Sequence, residues 1–196
     1  MGAVRKLVCL VVFAAAIFAS APAWAGFYAN DKNPTDPNRA QILALAAEIA
    51  GIPKSFGCEF AWGQMNDPSS ASMEFVPHGD DVRAWTRLVT ITTVALPPKQ
   101  AEQIELLKKL QAIMTNSFTQ RGHVLEIKSG ANAKGVQTLF VEYETGQGAA
   151  KEHNAAGIVR LRADMAAIVQ IQSRGKPLAR ADADKMKVLA IPMTQN

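Results

Sequence analysis

Apolar residues at helical spacing predict three helices in this chain. The longest pattern covers residues 99–120, where apolar side chains recur every three or four positions up to Gly122. Two shorter patterns cover residues 40–50 and residues 178–189. Gly51 is the predicted stop of the first of these helices. Each apolar stripe is wide enough to pack one side of a helix on a core, with Ala181, Met186 and Leu189 expected to face a sheet in the last helix.

Alternating and β-branched positions predict the strands. The segment 55–77 contains turn-forming Gly and Pro residues, so it predicts a loop or short strands with a better strand near its end. The predicted strands cover residues 71–76, 82–94, 124–128 and 136–144, and a hairpin within 158–173. This order of elements predicts one α+β domain over residues 39–196, with an antiparallel β-sheet flanked by helices.

The first 25 residues have the pattern of a secretory signal peptide. Two basic residues precede an apolar run at 7–18, and Ala23-Trp24-Ala25 supplies a small-residue cleavage site. The apolar run has about a dozen residues, whereas a membrane-spanning helix needs roughly 20, so cleavage after Ala25 is favoured over retention as an anchor. We therefore expect a periplasmic or secreted protein whose mature chain begins with a flexible arm, residues 26–38, rich in Asn, Asp and Pro.

Charge and composition argue against a nucleic-acid partner and against a membrane span in the mature chain. The chain has 48% hydrophobic and 19% charged residues, which is ordinary for a globular domain, and a formal net charge of +4. Removing the leader leaves 19 basic and 17 acidic residues, a net charge of +2, which argues against nucleic-acid binding. No later stretch is apolar for long enough to predict a membrane span in the mature chain.

The cysteines and histidines give no catalytic pattern. Cys9 lies in the leader, so Cys58 is a lone thiol that is either buried and inert or exposed and able to pair with another chain; burial is favoured. His78, His123 and His153 are far apart in sequence and have no metal-ligand or triad spacing, so surface histidines are the simpler interpretation. The sequence therefore predicts no catalytic residue, no metal site and no cofactor.

Large aromatic and basic side chains are the candidates for a ligand or partner surface. A tryptophan in a strand either anchors the core or forms the base of a recognition surface. Paired arginines on a strand either form a basic patch or pair across strands, here with Glu142 and Glu144. The candidate surface residues are Trp62, Trp85, Arg83, Arg87, Arg160 and Arg162.

The order of elements resembles that of the Mog1 and PsbP-like α/β/α sandwich proteins across residues 70–190. The resemblance lies in the hairpin with Trp85-Thr86, the long helix after Pro97-Pro98, the strands to Ile171 and the helix at 181–189. No signature motif accompanies it, so no functional residue is carried over. The resemblance implies a binding or assembly factor without enzymatic activity.

Three functions are therefore open, in the following order. The first is a protein of the cell envelope that binds a protein partner through the sheet face or the segment around Trp62. The second is a carrier of a small apolar ligand held between the sheet and the long helix, beside Leu107 and Met114. The third is an enzyme of unknown reaction.

Overall fold

Eight strands and four α-helices form the part of the chain that the structure describes. This computed structural model describes residues 26–31, 36–131 and 137–190; the predicted leader lies outside the described residues. The strands are β1 (Phe27–Tyr28), β2 (Cys58–Asp67), β3 (Ser70–Pro77), β4 (Arg87–Ala95), β5 (His123–Ala131), β6 (Gln137–Thr145), β7 (Glu152–Arg162) and β8 (Met165–Arg174). The helices are α1 (Arg39–Glu48), α2 (Gly51–Ser55), α3 (Gln100–Arg121) and α4 (Arg180–Ala190), and a 3₁₀ turn covers Gly148–Ala150.

The sheet consists of two antiparallel meanders that meet at its centre. Its strand order is β1-β2-β3-β4-β8-β7-β6-β5. β4 and β8 form the junction, and they pair without a break from Arg87 opposite Ser173 to Ala95 opposite Met165. α3 follows β4 in the chain and leads to β5, so it connects the centre of the sheet to its edge.

Helices pack on both faces of the sheet. One face, called the α4 face, carries Phe75, Val89 and Ile171, which are buried with Ile42 of α1 and Met186 of α4. The other face, called the α3 face, packs against α3 through a second apolar core. That core contains Leu107, Leu110, Met114, Phe118, Leu139, Val141, Ala156 and Ile158. Apolar residues on alternating positions of each strand supply the two cores, as the pleat requires.

The α+β class, the antiparallel sheet and the long helix are confirmed. The predicted helix at 99–120 corresponds to α3, and the predicted reversal within 158–173 corresponds to the turn between β7 and β8. Within the described ranges, no helix has both the length and the apolar character needed to cross a membrane.

Two strands near the N-terminus differ from the prediction. β2 is one strand of 10 residues with two register shifts in its pairing with β3, whereas its Gly63 and the turn residues around it predicted a loop or short strands. β1 lies in the segment expected to be a flexible arm; it pairs with β2, and the Phe27 side chain is buried in the α4-face core. Residues 32–35 of that arm lie outside the described residues.

Two boundaries also differ from the prediction. The strand expected from residue 82 begins at Arg87, because Asp81 closes a turn through its carbonyl and carboxylate, which accept hydrogen bonds from the amides of Ala84 and Arg83. In α4, Ala183 and Met186 are buried, whereas Ala181 is exposed. The apolar stripe of this helix is therefore shifted from the predicted one.

Candidate functional site

The α3 face changes from apolar to polar along each row of side chains that crosses the strands. One row runs from Val141 on β6 through Ala156 on β7 to Gln170 on β8. It continues through Thr90 on β4 and Glu74 on β3. We call the polar side chains of this face between β2 and β8 the polar half-face; they are Gln64, Ser72, Glu74, Thr90, Thr92, Gln170 and Gln172.

Side-chain hydrogen bonds hold two parts of the polar half-face. At the β2–β3 end, Asn66 donates to Ser72 at 2.9 Å, and Ser72 shares a hydrogen bond of 3.2 Å with Thr92. On β8, the Gln170 amide donates to the Tyr143 hydroxyl at 2.7 Å and to the Asn154 amide oxygen at 3.3 Å. These groups satisfy one another, as buried polar groups require.

Two other acceptors lie on this face, Glu74 in the row of Gln170 and Gln172 two residues farther along β8. The Gln172 amide oxygen is buried and has no hydrogen-bond partner in the described part of the chain. Glu74 is half-buried, and burial alone raises the pKa of its carboxyl from 4.5 to about 7. An unpaired buried acceptor and a desolvated carboxyl both raise the free energy of the folded state, so they indicate a site that a ligand can complete.

Trp62 borders Glu74 on the side of β2. The two residues are opposite each other in the β2–β3 pairing, so their side chains lie on the same face. The Trp62 indole lies against the backbone of Gly26, where an added Cβ would be 2.6 Å from Cζ2 of the ring. A glycine is therefore needed at position 26 for this contact. Exposure then falls across the sheet, from the half-buried Trp62 and Glu74 to 8% for Thr90 and 2% for Gln172.

Trp85 and Arg83 lie near one end of this region, in the turn before β4. Trp85 is buried with Val76 and Leu88 in a small core cluster, so the core interpretation is the correct one. The Arg174 guanidinium lies 4.0 Å from the Trp85 ring centroid. Arg83 is exposed and lies 4.5 Å from the ring centroid of Tyr28, the β1 residue that pairs with Trp62.

Arg87 is not part of this region. It lies on the α4 face, where its guanidinium forms a salt bridge of 3.0 Å with Asp182 of α4 and donates to the Phe56 carbonyl at 2.9 Å. Arg83 and Arg87 therefore do not form a shared basic face.

Arg160 and Arg162 are separated by a bulge near the end of β7 and contact different helices. Arg160 donates to the Gln103 side chain of α3 at 3.0 Å, whereas Arg162 binds Glu48 of α1 at 2.7 Å. The proposed cross-strand partners have other cations: Glu142 lies 3.7 Å from Arg180, and Glu144 lies 2.8 Å from Lys151. The sheet therefore brings neither the basic patch nor the predicted pairs together.

An open cleft of about 440 Å³ lies beside Arg160, at the start of α3. Polar Gln103, Arg160 and Asp164 line it together with Ile104 and Leu107. It lies outside the packed interior between α3 and the sheet, where Leu110 and Met114 are buried. Of the two residues expected beside an apolar ligand, Met114 is therefore buried in the α3-face core, whereas Leu107 also lines the cleft.

The thiol and the histidines do not form a catalytic arrangement. Cys58 is free and buried, as expected, and burial raises the pKa of its thiol to about 11. His78 lies 2.8 Å from Glu59 at an exposed position, and His153 lies 2.9 Å from Glu144. His123 and His153 both lie opposite Glu144 on neighbouring strands, a proximity that their sequence separation does not show. Among the described residues, no three His, Cys, Asp or Glu side chains could hold a metal ion together.

Sequence reasoning found Trp62 but missed its polar neighbours. A signal for them exists, because polar residues alternate in three strands: Ser72 and Glu74 in β3, Thr90 and Thr92 in β4, and Gln170 and Gln172 in β8. Such alternation usually marks a solvated face, and only the strand order shows that the three strands place these residues side by side.

Comparison with known proteins does not assign the chain to a family. No protein-family model matches the chain, and a search of curated proteins finds no match.

Proposed function

We propose that this chain is an exported protein of the cell envelope that binds a protein partner at the polar half-face and catalyses no reaction. The observation that supports it best is the Glu74 carboxyl, half-buried beside Trp62 with a pKa raised by burial. Gln172 adds a second acceptor, with no hydrogen-bond partner among the described residues. A partner that supplies hydrogen-bond donors would offset the cost of burying both groups.

The chemistry of this region favours a lysine or arginine side chain of the partner. Glu74 in its ionised form accepts hydrogen bonds from a cation, and a charge-assisted bond of this kind is stronger than a neutral one. Trp62 lies opposite Glu74 in the β2–β3 pairing and on the same face, so it offers an aromatic side chain to the aliphatic stem of a lysine or arginine. Since exposure decreases from Glu74 toward Gln172, the basic side chain would enter at β2–β3.

The carrier of an apolar ligand is the less well supported alternative. It needs space between the sheet and α3, and the buried side chains of Leu107, Leu110 and Met114 occupy that region. The open cleft beside Arg160 has apolar lining from Ile104 and Leu107, but Arg160 and Asp164 place two charges in it, which suits an apolar ligand less well than an enclosed apolar pocket.

Export and family resemblance belong to the same proposal. The leader pattern of residues 1–25 supports cleavage after Ala25 and a periplasmic or secreted location. Helices on both faces of an antiparallel sheet support the resemblance to the Mog1 and PsbP-like α/β/α sandwich proteins. The implied role as a binding or assembly factor agrees with a site that holds acceptors but no arranged nucleophile and base.

Native mass spectrometry of the protein purified gently from its own host tests the proposal. We expect a bound protein that survives a salt wash with the wild type and is lost with Glu74→Gln. The matched control is Glu105→Gln, which makes the same change at an exposed carboxyl on α3 that lies 3.1 Å from Lys108. Because a basic side chain binds the ionised form of Glu74, the apparent affinity should be about tenfold weaker at pH 6 than at pH 8.

Two other outcomes would contradict the proposal. A small-molecule adduct that is lost on denaturation would replace this proposal with the carrier. A protein partner retained equally by Glu74→Gln and Glu105→Gln would place the interface away from the polar half-face.

A further inference from the structure

The edge strand β5 exposes apolar side chains. Its neighbour on one side is β6, and within the described residues no strand pairs with its other side. Leu125 is 47% exposed and Ile127 is 41% exposed, and Leu125 lies at a bulge in the β5–β6 pairing. An exposed edge strand with apolar side chains has unpaired backbone groups ready to bind another strand.

We propose that a second copy of this chain binds here, through antiparallel pairing of β5 with β5 about a twofold axis at Ile127. The two four-stranded meanders that end at β5 would then form one continuous sheet across the dimer. This interface is independent of the polar half-face, which lies at the opposite end of the sheet.

Charge complementarity selects the register. Pairing centred on Ile127 places Ile127 opposite its own copy and Glu126 opposite Lys128, twice. Directly opposed residues of an antiparallel pair lie on the same face, so the twofold axis must pass at a residue rather than between two residues. Centring on Glu126 or on Lys128 instead would place like charges opposite each other, which is destabilising.

The charges of β5 suit a paired edge better than an isolated one. A lysine on an edge strand normally discourages pairing. Here Glu126 lies 2.8 Å from Lys187 of α4 and 3.3 Å from Lys128 of its own strand. The hydrogen bond from Lys187 is the main cause that lowers the pKa of Glu126, so the carboxylate is charged and available to Lys128 of a second copy.

The mass of the purified protein in solution, measured by sedimentation over a wide concentration range, tests this interface. We expect a reversible dimer, whose dissociation constant rises about tenfold or more in Ile127→Lys, since the change places two lysines opposite each other. Val188→Lys is the matched control, because Val188 is an exposed apolar residue of α4, and it should leave the dimer unchanged. Lys128→Glu should also weaken the dimer, because it places Glu126 opposite a second glutamate.

Oxidative cross-linking tests the register without relying on affinity. Residues opposite each other across an antiparallel pair have Cα atoms about 5 Å apart, within disulfide range. Ile127→Cys should therefore form a covalent dimer, whereas Leu125→Cys, which would face Ser129, should not. A monomer at every concentration, a dimer that Ile127→Lys leaves intact, or equal cross-linking of both cysteine variants would each overturn the proposal.

Discussion

The two halves of the α3 face share strands and rows, but the buried side chains are apolar in one half and polar in the other. Under α3, Val141 and Ala156 pack against apolar helix residues and need no polar partner. Farther along the same row, Gln170, Thr90 and Glu74 are polar and more than half covered. Burial in the first half stabilises the fold, whereas burial of Glu74 in the second opposes it.

This comparison identifies buried groups that lower the free energy of unfolding. A core that needed only packing would continue the apolar pattern of Val141 and Ala156 to the other edge of the sheet. A carboxyl with a pKa near 7 and an unpaired amide oxygen are unfavourable, and groups of this kind concentrate at functional sites. Replacing Glu74 or Gln172 should therefore leave stability unchanged or raise it, whereas replacing a buried residue of the apolar half should lower it.

The largest effect is expected in the apolar half. Leu110 of α3 is almost fully buried, so Leu110→Ala removes apolar contacts and leaves a cavity. We expect the free energy of unfolding to fall by about 3 kcal/mol, measured by urea denaturation. A loss below about 1 kcal/mol would show that the contact between α3 and the sheet is loosely packed.

Glu74→Gln should have the opposite effect, and only above acidic pH. In the wild type, the folded carboxyl has a pKa of about 7 against 4.5 in the unfolded chain, so the folded state binds more protons between these values. Stability therefore falls as the pH rises from 4.5 to 7 and then levels off. At pH 8 the variant should be more stable than the wild type by up to about 3 kcal/mol, and below pH 4 the two should agree.

Thermal and urea unfolding between pH 4 and pH 9 would measure this difference. Glu105→Gln on the exposed face of α3 is the control and should give no comparable pH-dependent gain. If Glu74→Gln destabilises the protein at pH 8, the carboxyl contributes favourable interactions in the folded state and the contrast between the halves fails.

The smallest changes in the free energy of unfolding are expected for the two glutamines of β8, and they should differ between the two. Gln170→Leu removes the hydrogen bonds to Tyr143 and Asn154, and it should lower the free energy of unfolding by about 2 kcal/mol. Gln172→Leu removes an acceptor that has no partner in the described residues, so stability should stay the same or rise by about 1 kcal/mol. Urea unfolding of both variants at one pH would decide; equal losses would mean that Gln172 is satisfied.

An element could be predicted from the sequence where its local pattern of apolar residues matches its packing in the fold. α3 could be predicted because Leu107, Leu110, Met114 and Phe118 repeat at helical spacing and all face one core. β2 could not be predicted as one strand of 10 residues, because Gly63 and its neighbours favour a loop or short strands in isolation. In the sheet, a side chain at position 63 would lie 2.6 Å from Ile42, so the glycine allows α1 to approach the strand.

The candidate site was only partly predictable for a different reason. Trp62 is visible in the sequence as a large aromatic residue. Glu74, Thr90 and Gln170 become one row only when β8 pairs with β4, and no local pattern specifies that pairing. The arginine pairs failed for the same reason, since a bulge sends Arg160 and Arg162 to helices in different layers.

The junction between β4 and β8 joins strands that lie far apart in the sequence. Val89 pairs with Ile171, 82 positions later in the chain, whereas the other strand pairs of each meander join neighbours in sequence. Closing so long a loop costs more chain entropy than forming a hairpin, and contacts of this kind slow folding. The two meanders can form early, but their joining completes the sheet and brings Thr90 beside Gln170. Amide protons of β4 and β8 should consequently exchange with solvent only when the whole protein unfolds.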